Sequence, residues 1–222
     1  MPLEISGPAG RLECLLDEPP GTRGEGGGRV QSGATTGIRA AVVFAHPHPQ
    51  YGGTMHTKVV YQSAKALARI GCAVLRFNFR GVSGSEGTFD SGVGEKADFV
   101  AALAFIHERY PDVPLWAAGM SFGSWIALTA GAEHPEVSLL LGVAVPSDLY
   151  DFEAVRTSHK PKFLIHGERD EITSLRQIRT FYAHCADPKE LVVIDGADHL
   201  FDGKVSEVAD AVEDLLEDWP GR

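Results

Sequence analysis

Residues 119–123 read Gly-Met-Ser-Phe-Gly and follow an apolar run at 115–118. A serine with a glycine two positions away on each side, directly after a buried strand, is typical of a nucleophile elbow, where the chain turns sharply from strand into helix. The turn strains the serine backbone and lifts its hydroxyl clear of the sheet. Glycine is needed at both flanking positions because a side chain there would crowd the turn. The pattern predicts that Ser121 is a nucleophile.

A serine hydroxyl is a weak nucleophile at neutral pH, so it needs a base that removes its proton and a carboxylate that orients the base. His199 is the best candidate for the base, because it lies in the loop after the last predicted strand, 191–194, downstream of the serine. Four other histidines lie on predicted helix faces or connections and are interpreted as solvated. They are His107, His134, His159 and His184.

Asp170 is the leading candidate for the carboxylate. It follows the predicted strand 162–166 and therefore lies between the serine and the histidine along the chain, which is the order that a nucleophile elbow favours. Glu168 and Glu171 are close alternatives in the same loop. Asp148, which follows the preceding predicted strand, is a further alternative.

Acyl transfer also needs N–H donors that stabilise the negatively charged oxygen of the tetrahedral intermediate. The backbone N–H of Phe122 is one predicted donor, because it begins a helix directly after the serine. The second donor is expected in the loop after the predicted strand 40–45, where two prolines lack an N–H and leave His48 as the nearest candidate. Gln50 and Tyr51 are the next donors along the chain.

The elements that must position these residues are predicted as an alternation of strands and helices. Residues 3–16 are expected to form one or two strands, and the glycine-rich segment 17–39 is expected to be a flexible loop within a long hairpin connection. The later strands are predicted at 40–45, 73–79, 115–120, 139–145, 162–166 and 191–194, and the helices at 57–70, 95–110, 122–133, 174–185 and 205–216. This alternation predicts an α/β fold, a single domain over residues 1–222 with a mostly parallel, twisted sheet and helices on both faces.

Ligands of parallel sheets bind at the carboxyl ends of the strands, and the candidate residues follow predicted strands. The connection between the predicted strands 139–145 and 162–166 has about 16 residues, which is too few for a cap domain. We therefore expect an open site, covered only by loops. Tyr51, Phe89 and Tyr150 are expected to contact the substrate.

Bulk properties exclude several classes of protein. The net charge of −10 disfavours nucleic acid and anionic membranes as partners. No apolar run approaches the roughly 18 residues of a membrane span, and residues 1–5 lack the pattern of a signal peptide. Three cysteines without a CxxC pair predict reduced thiols. We expect a cytoplasmic monomer or homodimer.

Two cofactor patterns are considered and disfavoured. His46, His48 and His56 have no interleaved cysteine or acid, so a metal site is not favoured. Residues 81–87 have the wrong glycine spacing for a dinucleotide-binding loop and continue as loop where a helix should begin. No metal and no cofactor are expected.

With these residues in hand, the chain resembles an α/β-hydrolase-fold protein over residues 38–218, within a group of small bacterial predicted hydrolases that lack a cap and are distantly similar to dienelactone hydrolases. The resemblance is carried by residues 46–49 with 52–55, 78–81, 119–123, 166–170 and 197–199. It implies that Ser121 is the nucleophile, His199 the base and Asp170 the acid. Dienelactone hydrolases proper use a cysteine nucleophile, so their substrate does not transfer.

These observations predict a serine hydrolase of the carboxylesterase or thioesterase type, which acts on a small-molecule acyl substrate through an acyl-enzyme. A peptidase on the same fold is an alternative, but it would need to recognise a free N-terminus or a proline, and no acidic pair is suitably placed. A catalytically silent binding protein is a second alternative. It is disfavoured because all three candidate catalytic residues are present.

Overall fold

The computed structural model describes residues 3–20 and 37–219. These residues form eight strands: β1 (Leu3–Gly7), β2 (Gly10–Asp17), β3 (Ala40–Ala45), β4 (Cys72–Phe77), β5 (Leu115–Met120), β6 (Val137–Val143), β7 (Lys162–Gly167) and β8 (Lys189–Ile194). They also form six α-helices: α1 (Lys58–Arg69), α2 (Val93–Arg109), α3 (Phe122–Glu133), α4 (Glu153–Thr157), α5 (Leu175–His184) and α6 (Val205–Leu216). A short 3-10 helix at Pro49–Tyr51 precedes α1.

All eight strands belong to one sheet, in the order β1-β2-β4-β3-β5-β6-β7-β8. Strands β3 to β8 pair with one another in parallel, whereas β2 pairs antiparallel with both β1 and β4. The predicted fold class, an α/β domain with a mostly parallel sheet, is confirmed. Because the parallel strands point the same way, the loops that follow them meet at one edge of the sheet.

The central strands are buried between two hydrophobic cores, one on each face of the sheet. In β3, Ala41 and Val43 face the core that contains residues of α2 and α3, whereas Val42 and Phe44 face the core that contains residues of α1 and α6. Every residue of β3 is buried. This is the environment of a parallel strand that helices cover on both faces, as the wholly apolar sequence predicted.

Observed elements differ from predicted ones mainly at their ends. Strand β6 begins at Val137 rather than at residue 139, and β4 ends at Phe77 rather than at residue 79. Helix α4 was not predicted, because five residues are too few to show a helical period. It is the only helix that the described chain forms between β6 and β7, and it is too short to be a cap domain.

The interpretation of residues 17–39 as a hairpin connection is wrong. Strands β2 and β3 do not pair with each other, because β4 lies between them in the sheet. Asp17 belongs to β2 rather than to the loop, and its carboxylate accepts hydrogen bonds from Arg76 Nε and Lys65 Nζ, both at 2.7 Å. Residues 21–36 lie outside the described residues, so the flexibility of this segment stays a prediction.

Within residues 3–20 and 37–219, none of the helices combines the length and the apolar character that crossing a bilayer would require.

Candidate active site

Ser121 lies in the turn between β5 and α3. The flanking positions 119 and 123 leave no room for a side chain. Its backbone has φ of 52° and ψ of −125°, a conformation that residues other than glycine rarely adopt. A Cβ atom at Gly119 would lie 2.3 Å from the Gly123 carbonyl oxygen, and one at Gly123 would lie 2.3 Å from the His46 carbonyl oxygen. The Ser121 N–H donates to the Val143 carbonyl across 2.9 Å. These contacts fix the serine at the carboxyl end of β5.

The side chains of Ser121, His199 and Asp170 form one chain of hydrogen bonds. His199 Nε2 lies 2.9 Å from Ser121 Oγ, and His199 Nδ1 lies 2.8 Å from Asp170 Oδ2. Asp170 follows β7 and His199 follows β8, so three strand ends supply one site. A carboxylate accepts the Nδ1–H, which leaves the Nε2 lone pair for the serine hydroxyl. The structure thus brings together the three side chains that the sequence singled out, in a geometry suited to proton transfer.

The Asp170 carboxylate is held by its own loop as well as by the histidine. Its Oδ1 accepts the backbone N–H groups of Ile172 and Thr173, each at 2.9 Å. Burial raises the pKa of this carboxyl, but the hydrogen bond and charge of His199 and the Thr173 N–H outweigh burial, so the pKa lies below its ordinary value. Asp170 is therefore ionised at neutral pH and can stabilise a protonated His199.

A second histidine, His166, lies close to this carboxylate, near the end of β7. Its Nε2 lies 2.7 Å from the Thr173 carbonyl oxygen, to which it donates, and 3.6 Å from Asp170 Oδ2. Burial lowers the pKa of His166, so the ring is neutral at neutral pH. Sequence reasoning missed this bracing contact, although a lone histidine at the end of an apolar strand, four residues before the acid, was a usable signal.

The alternative acids considered from the sequence bind other groups. Glu168 Oε2 accepts the Gly196 N–H at 2.9 Å, and Glu171 Oε2 accepts the His199 N–H at 3.2 Å. Asp148 accepts hydrogen bonds from the Thr173 hydroxyl at 2.9 Å and from the side-chain amide of Gln177 at 2.5 Å. These contacts tie together the loops that follow β6, β7 and β8, so the three carboxylates brace the site.

The two residues predicted to supply the oxyanion donors contact each other through their side chains. The rings of His48 and Phe122 are 4.8 Å apart between centroids. His48 caps the 3-10 helix, where its Nδ1 accepts the Gln50 N–H at 3.2 Å and its carbonyl accepts the Gly53 N–H at 3.1 Å. The first N–H groups of a helix are left for acceptors outside it, and Phe122 is the first residue of α3. The roles of both residues as donors stay predictions.

His46 connects the loop after β3 to the loop after β4. Its Nε2 accepts the Phe79 N–H at 3.0 Å, so its Nδ1 carries the hydrogen, which it donates to the Pro47 carbonyl at 2.6 Å. The ring is fully buried, and burial lowers its pKa to about 4. Because both nitrogens are already bonded, this histidine is a neutral structural residue beside the nucleophile.

Aromatic rings surround Phe122 at the entrance to the site. The Tyr150 ring stacks on the Trp125 ring at 4.1 Å and lies 6.1 Å from that of Phe122. Phe89 lies 5.9 Å from Phe122, whereas Tyr51 packs on the His48 ring at 4.6 Å and is largely exposed. The three aromatic residues predicted to contact substrate therefore lie near the serine turn, and their contact with substrate stays a prediction.

Buried acidic residues hold the loop that carries Phe89, and sequence reasoning did not find them. Glu95 accepts the Asp90 N–H at 2.9 Å and the Gly92 N–H at 2.7 Å. Asp98 binds the Arg80 guanidinium through two bonds of 2.9 and 2.7 Å. Both acids occupy the buried face of α2, and an acid on an otherwise apolar helix face was the available signal.

The chain is similar to known proteins in both sequence and structure. Residues 36–147 match the family model described as serine aminopeptidase, S33. An uncharacterised protein of Rickettsia prowazekii is 35% identical, and the match covers 96% of this chain and 87% of that protein. The structure of an alpha-beta serine hydrolase homologue from Coxiella burnetii superposes with a TM-score of 0.85 at 33% identity and covers 97% of both chains.

A second solved structure is similar and is described as having no lid. It is a serine hydrolase from Xanthomonas campestris, with a TM-score of 0.86 and 30% identity over 99% of this chain and 94% of that one. The sheet order, the strained serine turn and these likenesses define a serine hydrolase of the α/β class, and the described residues form no cap domain. The chain belongs to the α/β serine hydrolase family that the S33 model describes. The expected similarity to dienelactone hydrolases stays a prediction.

Proposed function

We propose that this protein is a carboxylic ester or thioester hydrolase in which Ser121 is the nucleophile, His199 the general base and Asp170 the orienting acid. The observation that carries the proposal is the unbroken pair of hydrogen bonds from the serine hydroxyl to the carboxylate, 2.9 and 2.8 Å long. Such a pair activates a serine for attack on an acyl carbonyl.

In the first half of the reaction, His199 Nε2 takes the proton from Ser121 Oγ as the oxygen bonds to the carbonyl carbon. The carbonyl electron pair moves to its oxygen, and the N–H groups of Phe122 and His48 stabilise the resulting oxyanion. When the intermediate collapses, protonated His199 gives its proton to the departing alcohol or thiol. An acyl-enzyme on the serine remains.

In the second half, water takes the place of the leaving group. His199 removes a proton from the water as its oxygen attacks the acyl carbon, and the same donors stabilise the second tetrahedral intermediate. Collapse breaks the bond to Ser121 Oγ, which regains its proton from His199, and the carboxylic acid leaves. The low pKa of Asp170 favours this cycle, because the acid stays ionised while the histidine alternates between its two charge states.

An aminopeptidase is the second candidate, because the matching family model carries that description. Such an enzyme needs a carboxylate free to bind a substrate ammonium group. The nearby acids Glu168, Glu171 and Asp148 already accept hydrogen bonds from the loops that hold the base and the acid. We therefore favour esters over peptides. The cytoplasmic location, the oligomeric state and the absence of a cofactor remain predictions.

A fluorophosphonate probe tests the proposal directly, because it reacts with an activated serine. The parent protein is expected to take up one probe per chain and the Ser121→Ala variant none, and kcat on 4-nitrophenyl esters is expected to fall roughly 10⁵- to 10⁶-fold. Ser147→Ala, in the loop after β6, is the control that keeps full labelling. Undiminished labelling of Ser121→Ala, or an unreactive parent, would overturn the proposal. Faster cleavage of aminoacyl-4-nitroanilides than of esters would favour the peptidase.

A further inference from the structure

The exposed large apolar side chains of this protein are concentrated around one edge of the sheet. Among the described residues there are seven, at Tyr51, Tyr61, Val93, Val100, Leu149, Ile172 and Leu200. Four of them lie in the loops that follow β3, β6, β7 and β8, and these four side chains are 86%, 55%, 45% and 52% exposed in chain order. We refer to Tyr51, Leu149, Ile172 and Leu200 as the apolar rim.

Two members of the apolar rim are attached directly to the hydrogen-bonded residues of the site. Leu200 follows His199 in the chain, and its N–H donates to Asp198 Oδ1 at 3.1 Å. The Ile172 N–H donates to Asp170 Oδ1 at 2.9 Å. The carboxylate of the predicted acid therefore holds the backbone of Ile172, and Leu200 is the chain neighbour of the predicted base.

The other two members approach from the opposite loops. The Tyr51 ring packs on the His48 ring at 4.6 Å, and the His48 ring packs on that of Phe122. Leu149 precedes Tyr150, whose ring lies 6.1 Å from that of Phe122, and its own N–H donates to the Pro146 carbonyl at 3.1 Å. Each member of the apolar rim therefore lies in a loop that also carries a residue of the site or one of the aromatic residues beside it.

Scattered exposed apolar residues are ordinary, but a group of them around a reactive centre indicates that something apolar covers it. The charged residues beside the rim limit what this can be. The loops that directly follow β6, β7 and β8 carry two cations, Arg169 and Lys204, against eight acids: Asp148, Asp151, Glu168, Asp170, Glu171, Asp195, Asp198 and Asp202. This surplus of negative charge repels anionic surfaces and anionic leaving groups.

We propose that the apolar rim binds the apolar chain of an uncharged ester, so that the substrates of this site are neutral esters with a long apolar chain rather than short or anionic acyl compounds. This inference rests on the proposed hydrolase function. It adds the class of substrate, which the geometry of the three central residues leaves open.

The test compares the parent with a triple variant, Leu149→Ser, Ile172→Ser and Leu200→Ser, on 4-nitrophenyl acetate and 4-nitrophenyl octanoate. The parent is expected to prefer the octanoate in kcat/KM, and the octanoate-to-acetate ratio is expected to fall about tenfold or more in the variant. Val100→Ser removes an exposed apolar side chain from α2, away from the rim, and is expected to keep the parental ratio. An equal ratio in the parent and the triple variant would overturn the inference.

Fluorophosphonate labelling separates this failure from failure of the proposed function. If the parent is labelled at Ser121 but shows no preference for chain length, the proposed role of the apolar rim is wrong and the hydrolase function stands. If the parent is not labelled, the proposed hydrolase function is wrong.

A charged substrate tests the argument about negative charge. At low salt, the 3-carboxy-4-nitrophenyl ester of octanoate is expected to react at least about threefold more slowly than the uncharged ester. At high salt the difference is expected to be smaller, because salt screens the repulsion. Equal rates for the two esters at low salt would contradict the argument.

Two other occupants of the rim give distinct results. Concentration-dependent dimerisation that the triple variant loses, with the ester ratio unchanged, would show that the rim joins two copies of this chain. Cosedimentation of the parent, but not of the triple variant, with phosphatidylcholine vesicles at an unchanged ester ratio would show a lipid surface as the occupant. Either result would overturn the inference.

Discussion

The two sides of Ser121 are built in different ways. On one side, residues 46–57 and 78–92 follow β3 and β4 and carry the predicted oxyanion donor His48. We call this the oxyanion side. On the other, residues 168–174 and 195–204 follow β7 and β8 and carry the predicted acid and the predicted base. We call this the base side.

Fixed groups hold the oxyanion side. His46 is neutral, with a pKa of about 4, and its two nitrogens bind backbone groups of both loops. Two acids of α2 hold the loop after β4: Asp98 pairs with Arg80 of that loop, and Glu95 accepts the Gly92 N–H. Both acids are fully buried. None of these groups needs to change its charge during turnover. An oxyanion hole stabilises developing charge only if its donors are already in position, so a rigid frame suits this side.

The base side carries the groups that exchange protons in the proposed reaction. In that reaction His199 gains and loses a proton, and it is 7% exposed, whereas His46 is fully buried. The carboxylates that brace its loops, Glu168 and Glu171, are exposed and bind backbone N–H groups. The comparison teaches that buried groups of fixed charge hold the side where only shape matters. Exposed carboxylates that bind backbone N–H groups brace the side where the proposed reaction moves charge.

The largest effect is expected from the base side, in Asp170→Asn. An amide at this position can donate to His199 Nδ1, which moves the imidazole hydrogen to Nε2 and removes the acceptor for the Ser121 proton. We expect kcat to fall about 10⁴-fold with little change in fold. Steady-state kinetics and circular dichroism measure the two quantities.

Asp148→Asn is the matched control, because Asp148 was an alternative acid on sequence grounds and binds Thr173 and Gln177 instead of His199. We expect less than about a tenfold loss of kcat. If Asp148→Asn were the more damaging of the two substitutions, the assignment of the acid would be wrong.

The next effect concerns stability on the oxyanion side. Asp98→Asn leaves the Arg80 guanidinium, whose side chain is 11% exposed, without its carboxylate. Breaking a buried pair from one side costs about 3 kcal/mol or more, which urea denaturation would measure as a loss of unfolding free energy. Glu133→Gln removes the partner of Lys96 in an exposed pair and is expected to cost less than about 0.5 kcal/mol. Equal losses in the two variants would show that the buried pair does not hold the loop.

Local sequence patterns predicted the serine turn and the residues of the base side, but not the order of the strands. The nucleophile turn was predictable because all its steric requirements fall within five neighbouring residues, 119–123. Asp170 and His199 were predictable because parallel strands bring their carboxyl ends together, so a polar residue just after a strand is already near the site. The strand order itself was not predictable, since β2 and β3 are consecutive in sequence but separated by β4.

The supports of the site were missed because their contacts join residues that are distant in sequence. Glu95 and Asp98 resemble the charges found on any solvated helix, and only the packing of α2 shows that both are buried. His46 was weighed as a metal ligand, because the sequence cannot show that the Phe79 N–H, 33 residues away, occupies its Nε2. A side chain's type is local information, whereas its partner depends on the complete fold.

The smallest of these effects is the pH dependence of stability that His46 imposes. Its pKa is about 4 in the folded protein, against an ordinary value of 6.5. As the pH falls below 6.5, the unfolded chain binds a proton at this position and the folded protein does not, so acidification favours unfolding. The stabilisation is complete above pH 6.5 and is lost progressively toward pH 4. The total loss is about 3 kcal/mol.

Urea denaturation at pH 7.0, 5.5 and 4.5 measures this loss before most carboxylates titrate. His46→Asn is expected to be less stable than the parent at pH 7.0 but to lose about 2 kcal/mol less between pH 7.0 and 4.5. His56→Asn, at an exposed position in the same loop, should follow the parent curve. If the unfolding free energy of His46→Asn fell with pH as steeply as that of the parent, His46 would not be kept neutral in the folded parent protein. The fixed frame of the oxyanion side would then titrate in the same pH range as an ordinary histidine, and the contrast between the two sides would no longer hold.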